Sequence, residues 1–258
     1  MCGRFVSASP PDEIARYFGA EAPGATLEPS YNVAPTNDVY AVTAAGGVRR
    51  VEAYHWGLVP RWAKEPKIGS RMINARAETL ASKNAFKAAF KRRRCIVPAD
   101  GFYEWKAPAA TVSGSGKPKK QPYYIHASDG EPLAMAGLWE VWRGPLKGSG
   151  GQSGQLPEQA AEQDFEQELY SCTLITTAAN ETMAPLHDRM PVLLPASAWD
   201  EWLDPVNDDL DTLGRLLVPA PPELITTYPV ATTVNSVRNK GPELLDAHEP
   251  PDELSLPL

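Results

Sequence analysis

The chain has 258 residues, 43% of them hydrophobic and 22% charged, the profile of one large globular domain. No apolar run approaches the roughly 18 residues that cross a bilayer, no secretory leader is expected, and three cysteines without CxxC spacing exclude a disulfide framework and a standard zinc site, which points to a reducing, cytoplasmic compartment. A formal net charge of -7 argues against a nucleic-acid partner, yet the charge is segregated: Trp56 to Lys120 holds 15 Lys and Arg against 4 Asp and Glu, and the remainder of the chain holds 10 against 28.

In chain order, Pro10 and Pro11 followed by Asp12 and Glu13, with Gly19 at the far end, predict a short helix carrying Ile14, Tyr17 and Phe18. Residues 39–54 are two β-prone runs around Gly46-Gly47, a hairpin signal. A helix is predicted over 76–91, and the basic run KNAFKAAFKRRR at 83–94 reads first as its solvated face. A second hairpin runs from RCIVPADGFYEWK to QPYYIHA through a Gly, Ser, Lys and Pro stretch at 107–121. LAMAGLWEVW (133–142) and LYSCTLITTAA (169–179) are long buried strands, with a polar, low-complexity surface loop at 144–168 between them. Helices follow over 196–203 and 208–216. Without a regular βαβ alternation the class is α+β: one domain over 1–240, largely antiparallel and barrel-like with flanking helices, and a Pro-rich tail over 241–258.

Cys2 is the residue that raises a chemical question. With Met1 trimmed it would carry a free α-amine beside its thiol, groups that titrate near ~7.7–8.0 and ~8.5 in model compounds, so both are partly nucleophilic at neutral pH. A 1,2-aminothiol condenses with an aldehyde to an imine, and the thiol then closes a five-membered thiazolidine. Cys95 and Cys172 sit in apolar, strand-like runs and read as inert core thiols.

Six stretches in order, MCGRF at 1–5, YNVAPT at 31–36, HWGLVPRWAK at 55–64, INARAET at 73–79, ADGFYEWK at 99–106 and LHDRMP at 186–191, resemble the SRAP family, the SOS-response-associated peptidases understood as abasic-site DNA–protein crosslinkers. PVATTVNSVRNKGPELL is similar to the last strand and turn of bacterial members, and the insertions at 107–121 and 144–168 depart from the shorter ones. The resemblance implies that Cys2 crosslinks to the ring-opened sugar aldehyde, that Glu104 and His187 carry protons, and that Asn74 anchors the Cys2 amine and the sugar. Arg4, Arg76 and Arg189 lie within two residues of those positions, where their forks could grip phosphates. Trp56 and Trp62, with Pro35, could stack against or wedge beside bases. The expected partner is single-stranded DNA with abasic sites, near the nucleoid and replication-fork proteins, bound by a monomer with neither metal nor organic cofactor. The alternatives from other classes are an N-terminal-nucleophile thiol peptidase or amidase that includes self-processing, and a non-covalent single-strand binder.

Overall fold

The computed structural model describes residues 2–107, 120–145 and 166–248. Its strands are β1 (Phe5–Ser7), β2 (Ser30–Val33), β3 (Asp38–Ala45), β4 (Val48–Trp56), β5 (Asn74–Arg76), β6 (Arg94–Ala99), β7 (Gly101–Lys106), β8 (Gln121–Ala127), β9 (Leu133–Pro145), β10 (Glu166–Ala178), β11 (Arg189–Pro191) and β12 (Ile225–Pro229). The α-helices are α1 (Pro11–Phe18), α2 (Lys87–Arg92), α3 (Trp199–Leu203) and α4 (Leu210–Arg215). Among the described residues no helix is long and apolar enough to cross a membrane.

The order β4–β3–β6–β9–β10 closes on itself, because β10 pairs β9 antiparallel from Glu166↔Pro145 to Leu174↔Gly137 and also pairs β4 in parallel at Ser171↔His55 and Cys172↔Trp56. The result is a closed five-stranded barrel, with the end of β10 running past the closure to pair β5 and β11. A second, wholly antiparallel sheet runs β12–β8–β7–β1–β2. Phe5, Phe102 and Ile125 of that sheet share one buried cluster with Val39, Trp56, Val97 and Met135 of the barrel, so the sheet is seated on the barrel by apolar burial. Phe18, Phe90, Trp199 and Trp202 of the helices join Val42, Ile96 and Leu138 in another cluster. The α+β class with a barrel-like, largely antiparallel sheet is what the structure has.

Gly46 and Gly47 both have positive φ, 59° and 79°, the signature of a type I′ hairpin turn, and they join β3 to β4 at the predicted place. Gly19 ends α1 in the left-handed conformation, donating its N–H to the carbonyls of Ala15 and Arg16. The start of α1 differs from a side-chain cap: Pro10 holds that position, and the Ser9 hydroxyl is hydrogen-bonded to Asp100 instead.

The continuous helix predicted over 76–91 does not form. Asn74–Arg76 is recruited as a strand beside β10, a 3-10 turn covers Ala77–Thr79, and the α-helix is confined to Lys87–Arg92. Local hydroxyls compete with the helical ladder: Thr79 Oγ1 donates to the Arg76 carbonyl at 3.3 Å and Ser82 Oγ to that of Thr79 at 3.2 Å. The remaining predicted helices are found as a 3-10 turn at Ala196–Ala198 running into α3, and as α4. The insertions read at 107–121 and 144–168 lie largely outside the described residues. Residues 241–248, read as the start of a tail, pack on the fold: Leu244 is 1% exposed, and the Tyr228 hydroxyl donates to the Leu245 carbonyl at 2.8 Å.

Candidate active site

Cys2 lies just before β1 and is 0% exposed. The pairing Phe5↔Phe102 continues outward through the Tyr103 N–H, which donates to the Arg4 carbonyl at 3.0 Å, and so carries Cys2 alongside the Glu104 end of β7. From the barrel side Asn74, on β5, donates its amide to the Cys2 carbonyl at 2.7 Å. Two independent sheets therefore converge on one residue. The Asn74 Oδ1 is buried and has no hydrogen-bond partner among the described residues, an acceptor held ready for a donor.

Asn74 is held in place by the HWGLVP segment. The Trp56 indole donates to the Ile73 carbonyl at 3.0 Å, and the Leu58 N–H donates to the Met72 carbonyl at 3.1 Å. The segment can fold back this closely because Gly57, at φ 139°, lies against Gly69: a Cβ on Gly57 would meet the Gly69 carbonyl oxygen at 2.6 Å. Trp56 is 0% exposed and packs edge-on to Phe5 at 5.0 Å, so its expected contact with bases is replaced by a place in the core. Trp62 is 60% exposed, beside a surface groove lined by Lys64, Lys67, Ile68 and Arg71.

Glu104 is 3% exposed, close enough to Cys2 for its charge to act on the thiol. Burial first, and then the negative charge of Glu104, push the Cys2 thiol well above its ordinary value, against weaker opposing pulls from the N-terminal charge and from a backbone hydrogen bond at Arg4. This thiol rests protonated. Cys95 and Cys172 are also 0% exposed free thiols, raised chiefly by burial, as expected of core cysteines.

His187 lies in the turn that joins β10 to β11, with its side chain 29% exposed; its Nδ1 is 2.7 Å from Asp188 Oδ1 and accepts the Arg189 N–H at 3.0 Å. β10 brings this turn to the site, because β5 and β11 flank its last residues on opposite sides: Arg76 pairs with Thr176, and Arg189 with Ala178.

The three arginines differ. Arg189 is 13% exposed at its side chain and forms a bidentate pair with Glu78, at 2.6 and 3.0 Å, while also donating to the Thr176 carbonyl at 2.5 Å. That pairing holds the Glu78 carboxyl below the usual carboxylate range. Arg4 is half-buried and donates to Asn32 Oδ1 at 2.9 Å and to the Val234 carbonyl at 3.1 Å. Arg76 alone is exposed. Asn32 donates its amide to the carbonyls of Val234, Ser236 and Asn239, so the YNVAPT segment clips the chain's C-terminal part to the site; this role was not read from the sequence. Pro35 is half-buried in the turn that follows, where Thr36 adopts φ 71°, a strained conformation for a β-branched residue. Among the described residues no group of three or more His, Cys, Asp or Glu side chains is gathered to hold a metal ion.

Comparison with known proteins gives consistent relatives. The profile of the SOS response associated peptidase family matches residues 1–237. The chain is 41% identical to the abasic site processing protein YoqW of Bacillus subtilis, covering 96% of this chain and all of that one. It is 32% identical to the abasic site processing protein HMCES of Xenopus tropicalis, over 96% of this chain and 78% of that one. A crystal structure of a protein from Bacteroides thetaiotaomicron superposes with a TM-score of 0.76 at 23% identity, covering 96% and 100% of the two chains.

Proposed function

Because this chain belongs to the SOS response associated peptidase family, we propose that it acts on abasic sites in DNA, preferentially single-stranded, and caps them by a thiazolidine link through Cys2 after removal of Met1. The amine attacks the C1′ aldehyde of the ring-opened sugar to give a carbinolamine. Protonation of its hydroxyl expels water and leaves an iminium. The thiol then adds to the iminium carbon and releases its proton, so aminothiol and aldehyde become thiazolidine and water. The observation that carries this reading is the state of the thiol: buried beside a carboxylate, it rests neutral and so is disfavoured as a first-step thiolate, whereas a neutral thiol beside a proton acceptor suits the ring closure.

In this reading Glu104 takes the thiol proton, and His187 shuttles the proton that leaves the ammonium and returns with the departing water. Asn74 fixes the Cys2 carbonyl and offers Oδ1 to the amine or a sugar hydroxyl. Arg76 is the arginine whose fork is open to a phosphate; Arg4 and Arg189 would first have to exchange protein partners. Trp62 offers an exposed face for a base. The site functions within one chain, in the nucleoid, with fork proteins as neighbours.

The test is a denaturing gel of the protein with single-stranded DNA carrying one abasic site. A shifted, SDS-resistant band is expected, absent with intact DNA, absent for Cys2→Ala, and absent when an uncleaved N-terminal tag turns the amine into an amide. Glu104→Gln should slow its appearance by ~100-fold or more. A full-yield adduct from the tagged protein would overturn the aminothiol chemistry.

A further inference from the structure

His187 presents one nitrogen to two groups with opposite requirements. The backbone N–H of Arg189 donates to Nδ1 at 3.0 Å, which needs a bare lone pair there. Asp188 Oδ1 lies 2.7 Å from the same nitrogen, where a carboxylate needs a proton between the two atoms. Both cannot be satisfied at once. The backbone around the ring is also tied down: the His187 N–H donates to the Met183 carbonyl at 3.0 Å and the Ala179 N–H to that of Asp188 at 3.0 Å. Asn180, 8% exposed, accepts the Met183 N–H at 3.0 Å and donates to the Ala220 carbonyl at 2.9 Å. Asp188 is 85% exposed at its side chain, yet this tied turn delivers its carboxylate to the ring.

We propose that Asp188 is a positioning residue which, in competition with the Arg189 N–H for Nδ1 of His187, sets which imidazole nitrogen carries the proton during the reaction. When Nδ1 accepts from Arg189, the neutral ring holds its proton on Nε2 and is an acid there. When Nδ1–H donates to Asp188, Nε2 has a lone pair and is a base. A shuttle that first takes a proton needs the second form at rest, and the imidazolium it becomes is then the acid. The base form takes a proton from the Cys2 ammonium, and the imidazolium so made is stabilised by the Asp188 charge. That proton then goes to the carbinolamine hydroxyl as water leaves, and no proton is gained or lost by the ring over the cycle. The charges nearest along this turn are Glu78 and Arg189, which neutralise each other, with Arg76 beside them. Asp188 Oδ1 is the carboxylate oxygen held 2.7 Å from Nδ1.

Only the kinetic arm of the test rests on the crosslinking reading above. Imidazole 15N shifts of the Met1-processed protein, with His187 assigned by its absence in His187→Gln, report which nitrogen carries the proton. The expected result is Nδ1–H in the wild type and a move to Nε2–H in Asp188→Asn. Adduct formation by Asp188→Asn should slow about tenfold, less than loss of the acid–base group itself, and Asp188→Glu should recover most of it. Affinity for single-stranded DNA carrying an unreactive tetrahydrofuran analogue should stay within about twofold for a residue that acts through the ring and not through phosphate. The same tautomer in wild type and Asp188→Asn, or a slower rate with an unchanged tautomer, would overturn the proposal. A wild type that forms no adduct would sink the crosslinking reading alone, because the 15N measurement still decides this one.

Discussion

Two basic stretches of the sequence meet opposite fates in the fold. In KNAFKAAFKRRR four of the six cations already have partners from the protein itself. Lys91 and Arg92 pair with Asp208 at 3.2 and 3.5 Å, and Arg93 pairs with the nearly buried Glu140 at 2.7 Å. Arg94 is 3% exposed and donates to the carbonyls of Phe90, Lys91, Trp202, Asp204 and Asn207. Burial lowers its guanidinium to about 10, and the ring of carbonyls keeps it useful as a charged hub between α2 and α3. In the stretch from Trp62 to Arg76, Lys64, Lys67 and Arg71 line a surface groove and Arg76 is exposed. Density of positive charge in the sequence therefore does not locate a phosphate site. What matters is whether acceptors from elsewhere in the chain reach the cations first.

The contrast is sharpest at two tryptophans, Trp56 just ahead of the second stretch and Trp62 at its start. Trp56→Ala removes a fully buried ring and the hydrogen bond that braces β5, and should cost about 3–5 kcal/mol in urea unfolding. Trp62→Ala should leave the unfolding midpoint unchanged and weaken single-stranded DNA binding by the ~1–3 kcal/mol of one stacked base. A smaller effect separates the cations. Arg76→Ala should flatten the salt dependence of binding by about 0.7 in log–log slope, the value for one phosphate on a single strand, and Arg92→Ala should leave it unaltered. Equal slopes for both variants would remove the distinction between the stretches. The smallest effect concerns Glu78. Its folded carboxyl titrates below the ordinary value, so the stabilisation from Arg189 is present above that ordinary value and is lost as pH falls through the lowered one. Thermal melts of wild type and Glu78→Gln should differ near neutrality and converge only as pH falls below the lowered titration of Glu78.

Much of the architecture was legible in local signals. The Gly46-Gly47 turn, the Gly19 cap and the long apolar runs of β9 and β10 each depend on nearby residues alone, because turn geometry and strand burial are local or period-two properties. The helix over 76–91 failed for the opposite reason. Its first residue, Arg76, is taken with Asn74 and Ala75 as a strand on the part of β10 that runs past the barrel closure, a distant pairing that local propensity does not express. Trp56 shows the same limit at the site: an aromatic residue next to a basic stretch looks like a stacking platform until its burial is known.

The sequence by itself determined the chemistry available: a thiol at position 2, a carboxylate in GFYEWK, an imidazole in LHDRMP and an amide in INARAET, in an order that the family shares. Residue type settles what a group can donate, accept or attack. Tertiary structure alone decided which of these groups meet. β1 against β7 brings Glu104 to Cys2, β5 against β10 brings Asn74 to its carbonyl, and the β10–β11 turn sets Asp188 and the Arg189 N–H on one nitrogen of His187. These contacts join residues far apart in the chain, and they form only once the barrel and the second sheet have buried their shared apolar face, a condition that no local stretch of sequence can express.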